Sequence, residues 1–174
     1  HKHDREEGPS RRTQIKQHYH HQRRGRDPRR AAPQRRVHDV TAVELRDARM
    51  LTPRLMAQLA QHGVRYCIGL HDRMPPAAAQ IQAAMAAGPG DFICRWNLHQ
   101  GLRYNQAKAQ WAPFDRLQAP DVQTREALAR AAVAALAHGH RAFVTINNKA
   151  EGSAPLSVIE LAKAILRENG ATVL

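Results

Sequence analysis

Residues 141–154 read RAFVTINNKAEGSA, and this stretch decides the fold. Phe143, Val144, Thr145 and Ile146 are β-branched, aromatic or apolar, the composition of a strand. Two amides, Asn147 and Asn148, stand at its end, then Lys149, then Gly152 and small residues. A helical pattern begins at Pro155, with Leu156, Ile159, Leu161, Ile165 and Leu166 reading as its core stripe. A strand, a polar loop and a helix in that order set hydrogen-bonding groups just past the carboxyl end of a strand, where α/β proteins hold ligands. The pattern predicts a polar pocket on an α/β scaffold and leaves the ligand unnamed.

The same unit recurs upstream. Residues 40–45 (VTAVEL) read as a strand ending at Glu44 and Arg46, and Thr52-Pro53 starts a helix with Leu55, Met56, Leu59 and Ala60 on one side. Residues 64–70 (VRYCIGL) read as a second strand, with His71 and Asp72 at its end and an alanine-rich helix over 77–87. Residues 91–96 (DFICRW) read as a third strand, with Arg95, Asn97 and His99 as its polar end. Residues 101–119 form a long connection carrying Tyr104, Trp111 and Phe114, with some helix expected in it because long bare loops are unusual in compact domains. Asp121 caps the next helix, which runs to about Ala137, and residues 171–174 read as the start of a further strand.

Alternating strands and helices imply parallel strands with helices outside. Four units make roughly half of an eightfold barrel, for which about 250 residues are typical. No glycine fingerprint follows the first strand and no phosphate-binding loop is present, so nucleotide-cofactor readings lose support and no cofactor is expected. At 174 residues one domain is expected, and a 43% hydrophobic content suffices for a core. No apolar run is long enough to cross a bilayer, so no membrane partner is expected. Cys67 and Cys94 sit inside strand-like runs and read as buried, reduced thiols of a cytoplasmic protein. No three-ligand metal set stands out.

Charge is uneven. Residues 1–36 hold 12 Lys and Arg against 4 Asp and Glu, a net +8, whereas the whole chain is +12. The head contains four Arg-Arg pairs, and Ile15 is its only aliphatic residue larger than alanine. Such a segment buries too little apolar surface to offset its ordering entropy, so 1–36 is read as disordered. Paired arginines suit phosphates, which makes a nucleic-acid arm the alternative function, although Tyr19 alone supplies little stacking. His18, His20 and His21 lack the cysteine or carboxylate support of a defined metal site.

Four blocks carry a resemblance: VELRDARML, GLHDRMPP, RWNLHQGLRYNQAKAQWAPFDRLQAPD and FVTINNKAEGSAPLSVIELA. In this order, each at a strand end, they resemble the YecE-like family (domain of unknown function 72), a TIM-barrel-like family, over residues 37–167. The resemblance implies a partial barrel over 37–174 with a polar face at the strand ends, and it brings no established reaction. It also implies a truncated member, since the basic head stands where the family has the first half of its barrel. The chain begins at His1, and a misplaced start in the gene reading is the expectation that follows.

Candidate site residues are those at the strand ends. Glu44 and His99 are the candidate acid–base pair, because an ionisable group there faces the bound molecule. Arg46, Asp72, Arg95, Asn147, Asn148 and Lys149 are the candidate ligand contacts, with arginine offering a planar fork and the amides neutral hydrogen bonds. The bland readings are mutual pairing of Glu44 and Arg46, loop capping by Asp72, and loop bonding by the two amides around Gly152. The leading expectation is an enzyme or binder of a small polar or anionic ligand. The others are nucleic-acid binding through the head, and an inactive fragment that self-associates through open barrel edges.

Overall fold

The computed structural model describes residues 40–170; the basic head and the strand expected at 171–174 lie outside them. Threonine and proline start the first helix as expected. Thr52 Oγ1 accepts the Leu55 amide at 3.2 Å, and Pro53 occupies the first turn. Asp121 caps its helix in the same way through the Thr124 amide, 3.0 Å. The elements are β1 (Ala42–Glu44), α1 (Pro53–Gln61), β2 (Arg65–Leu70), α2 (Ala77–Met85), β3 (Phe92–Trp96), α3 (Tyr104–Trp111), α4 (Val122–Ala137), β4 (Ala142–Ile146) and α5 (Ala154–Glu168). A single 3-10 turn, Ala48–Met50, follows β1.

All four strands pair in parallel, in the order β1-β2-β3-β4. The α/β expectation therefore holds, and the sequential order is consistent with a partial TIM-barrel-like fold. β1 is shorter than its sequence pattern, because the chain leaves the sheet at Leu45 and turns at Asp47, whose carboxylate accepts the Arg49 amide. The long connection does contain a helix, α3.

Register separates the two faces of the sheet. Leu45, Tyr66, Ile68, Leu70, Cys94 and Trp96 point to one side and join Met56, Ala77, Leu128, Leu161 and Ala164 of the helices in one core. Full burial of Ile68, Leu128 or Trp96 is worth about 2–3 kcal/mol each. Glu44, Cys67 and Gly69, Ile93 and Arg95, Phe143 and Thr145 take the opposite side. No described helix contributes to a core there, and Phe143 is 44% exposed. Burial pushes the Cys67 thiol up to about 11 and the Cys94 thiol up further, so both stay neutral and unreactive near neutral pH.

Two polar fasteners set the sheet. Gln80 of α2 is fully buried and meets both backbone groups of Gly69, accepting its amide at 3.2 Å and donating to its carbonyl at 3.0 Å. It does for β2 what a neighbouring strand would do where β1 has ended. At the other end, Asp91 accepts the Arg141 backbone amide at 2.8 Å and its guanidinium at 2.6 and 3.0 Å, tying the start of β3 to the start of β4.

Burial raises the Asp91 carboxyl, but the Arg141 bonds outweigh it and hold the group below its usual range. A carboxyl depressed in the folded state lends stability above its unfolded pKa of about 4, and this is lost as pH falls through the folded value. Asp91→Asn is therefore expected to cost about 2 kcal/mol at neutral pH and to lessen the loss of stability in acid. Urea midpoints across pH check both, and an unchanged midpoint at neutral pH contradicts the fastening.

Candidate functional site

The carboxyl ends of all four strands open on one cavity of about 590 Å³. β1 contributes Arg46, β2 contributes His71, Asp72 and Arg73, β3 contributes Arg95, Asn97 and Leu98, and β4 contributes Asn147. Tyr104, the first residue of α3, closes one side. A second hollow shares Asp72, Arg73 and Tyr104 and widens the cleft.

Glu44 is the anchor of this rim. Its side chain is only 12% exposed, and both oxygens are occupied. Oε2 accepts from Arg95 Nη1 at 2.5 Å; Oε1 accepts from Asn97 Nδ2 at 3.3 Å and lies 3.2 Å from Arg46 Nη2. The carboxylate of β1 thus crosses β2 to reach β3. Gly69 makes the crossing feasible, since a Cβ there would stand 3.0 Å from both Glu44 Cγ and Oε1. Glu44 fixes two guanidinium groups whose other faces stay open, Arg95 being 50% and Arg46 62% exposed. In this state it orients cations rather than offering a free base.

His71 forms part of the floor, 6% exposed. Its Nδ1 accepts the Arg73 amide at 3.3 Å and lies 3.6 Å from Asp72 Oδ1, while Nε2 is buried without a partner. With Nδ1 accepting a backbone N–H, the neutral ring carries its proton on Nε2.

The β4 end divides its three polar residues among different tasks. Asn147 faces the cavity, and its Oδ1 accepts the Lys149 amide at 3.1 Å and the Lys149 ammonium at 3.2 Å. Asn148 turns away: its Oδ1 accepts the Ala154 amide at 2.8 Å and caps α5, a job the N-cap Ser153 leaves undone. Lys149 is 8% exposed, 4.2 Å from the centre of the Tyr104 ring and 5.8 Å from that of Phe114. It braces Asn147 and Tyr104 by cation–π contact and is not on the cavity wall. His99 is not on that wall either. Its Nδ1 bonds the Gln100 carbonyl at 2.7 Å, and its ring meets Trp111 edge-on at 6.0 Å, beside a small cluster of Leu98, Ala107 and Trp111.

Of the sequence candidates, Arg46, Asp72, Arg95 and Asn147 line the cavity, with Glu44 clamped behind the two arginines. Asn148, Lys149 and His99 support the loops around it. Arg73 and the Glu44–Asn97 bond were not singled out from sequence, although Arg73 lies in the block GLHDR, Asn97 in RWN and Glu44 in VELRD, all at strand ends. A buried pair, Arg125 and Glu151, also went unmarked; Arg125 lies on the same stripe as Leu128 and Ala132, a position where a charge signals a partner.

An apolar hollow of about 360 Å³ lies at the opposite, amino end of the strands, between α2 and α4. Its guanidinium, Arg65, is spent on the carbonyls of Gly88, Pro89 and Asp91, so it presents no converging polar groups comparable to the rim. Among the described residues no three His, Cys, Asp or Glu side chains are grouped to hold a metal ion, and no helix is long and apolar enough to cross a membrane.

A singly wound parallel β/α sheet with a cationic polar cleft at its carboxyl ends defines the class of protein. The particular family follows from the sequence of those ends: the family model described as protein of unknown function DUF72 matches residues 13–173, and the chain belongs to that family. The matched span begins within the basic head. No curated protein and no solved structure matches the chain.

Proposed function

We propose that the rim binds a small, polar, anionic molecule at the carboxyl ends of the strands. The observation that carries this reading is the clamped carboxylate. Glu44 is consumed in positioning Arg95 and Arg46, whose outward faces then meet the same cavity as Arg73 and Asn147. Three guanidinium groups against Glu44 and Asp72 leave the cleft net positive, and arginine forks suit carboxylate or phosphate oxygens. His71 forms part of the floor beneath these groups. Binding is the step these groups support directly; Asp72 is the rim carboxylate that no arginine side chain holds, and any proton transfer in the cleft falls to it first.

Inorganic phosphate and malonate serve as probes. Calorimetric titration of the wild-type protein is expected to show binding that weakens as salt rises. Arg95→Gln and Arg73→Gln are each expected to weaken it about tenfold, the worth of one charge-assisted contact of ~1.4 kcal/mol. Arg73 stands outside the Glu44 clamp, so its substitution leaves that clamp intact. Equal affinities in wild type and both variants contradict the reading.

A further inference from the structure

Tyr104 is the first residue of α3 and stands where two hollows meet. It lines the strand-end cavity of about 590 Å³. It also lines the second hollow, whose other walls are Arg103, Asn105 and Gln106 at the start of α3 and Asp72 and Arg73 after β2. Pockets of roughly 300–1,000 Å³ hold whole small molecules. A lone phosphate or carboxylate fills a small part of such a cleft, so the anion of the rim has a larger body attached.

The two faces of the Tyr104 ring differ. Lys149 Nζ lies over one of them, 4.2 Å from the ring centre, and donates to Asn147 Oδ1 at 3.2 Å, which fixes its position. Lys149 is buried, so its ammonium does not rise to meet an anion in the cleft. Tyr104 itself is 58% exposed, and with the ammonium over one face that exposure belongs to the other face and the edge. A cation over a ring draws the π electrons toward itself. The outer face is then a poor seat for a second cation and a good one for an electron-rich flat ring.

The surroundings fit such a body. Arg73 borders both hollows and Arg103 borders the second. Guanidinium planes stack on aromatic faces as well as binding oxyanions. Among the described residues no aliphatic side chain lines the second hollow, so nothing there grips an aliphatic tail. We infer that the ligand of the rim is an aromatic acid: a flat ring carrying a phosphate or carboxylate, with the acid among Arg46, Arg73 and Arg95 and the ring stacked on the outer face of Tyr104. This rests on the anion reading and adds to it the class of molecule, with Tyr104 as the residue that selects the ring.

Calorimetric titration of the full chain with inorganic phosphate, cyclohexyl phosphate and phenyl phosphate tests it. Phenyl phosphate is expected to bind about tenfold tighter than inorganic phosphate. It is expected to bind about threefold tighter than cyclohexyl phosphate, which matches it in charge and nearly in size but has no π face. Tyr104→Leu is expected to erase the preference for phenyl over cyclohexyl phosphate, and Tyr104→Phe to keep it. The wild-type comparison decides the matter even where Tyr104→Leu does not fold. Phenyl phosphate binding no tighter than cyclohexyl phosphate, or a preference that Tyr104→Leu leaves whole, overturns the inference while the anion reading stands. Failure of all three phosphates to bind overturns both.

Discussion

Arg125→Met is expected to destabilise the protein by about 3–5 kcal/mol, the largest loss of any single charge removal in the described residues. Glu151 is fully buried. Its Oε1 accepts from Arg125 Nε at 2.8 Å and from the Asp121 amide at 2.6 Å. Arg125 Nη2 lies 2.6 Å from the same oxygen at an angle poor for a hydrogen bond, so that contact is mainly Coulombic. Glu151 Oε2 has no partner. Removing the guanidinium leaves a carboxylate in the interior with one backbone donor, and the cost is that of an uncompensated buried charge. Replacing both partners, Arg125→Met with Glu151→Met, is expected to cost clearly less, because no lone charge remains. Urea denaturation at neutral pH measures both. A single-variant loss below about 1 kcal/mol, in the range of surface pairs, contradicts the placement.

Gly152→Ala is expected to follow closely, at about 3 kcal/mol or more, lowering the melting temperature by roughly 10 °C for a chain of this size. Gly152 has φ +117°, a region that residues with a Cβ avoid. An added Cβ would also stand 2.5 Å from the Arg116 carbonyl oxygen and 2.7 Å from the Gln118 nitrogen. Neither atom can retreat without releasing the Gln118 and Ala119 amides, which bond the Glu151 carbonyl at 2.7 and 3.1 Å. Both large effects thus fall on one junction, where the loop before α4 is tied to the loop between β4 and α5. Asn147 enters the rim from that second loop. A melt within about 2 °C of wild type contradicts the close approach.

The strand–helix alternation was legible because its signals are local. The Thr52-Pro53 start depends on a side chain three residues from its target, and β4 alternates helix-facing Val144 and Ile146 with open-face Phe143 and Thr145. α3 was only loosely placed, since Ala107 and Trp111 are its only buried residues and no apolar stripe marks its limits. That polar groups gather at the strand ends follows from position in a parallel sheet, and Arg46, Asp72, Arg95 and Asn147 line the cavity there. Which neighbour turns inward does not follow from position. Asn147 and Asn148 are adjacent and chemically identical, and only the unsatisfied first turn of α5 draws Asn148 away. Lys149 reads as a free charge in sequence, yet two aromatic rings brought from the preceding connection enclose it. The Glu44 clamp and the Arg125–Glu151 pair bridge 51 and 26 residues, beyond the reach of any spacing rule.

The central claim is that polar groups from four strand ends meet at one anion-binding rim. Backbone amide shifts in two-dimensional nuclear magnetic resonance, recorded while malonate is titrated into the full chain, test it most directly. The expected result is a set of saturating shifts confined to the amides around Arg46, His71 to Arg73, Arg95 to Leu98 and Asn147. Shifts that cluster at the amino ends of the strands, around Arg65 and Asp91, or no saturating shifts at all, would contradict it.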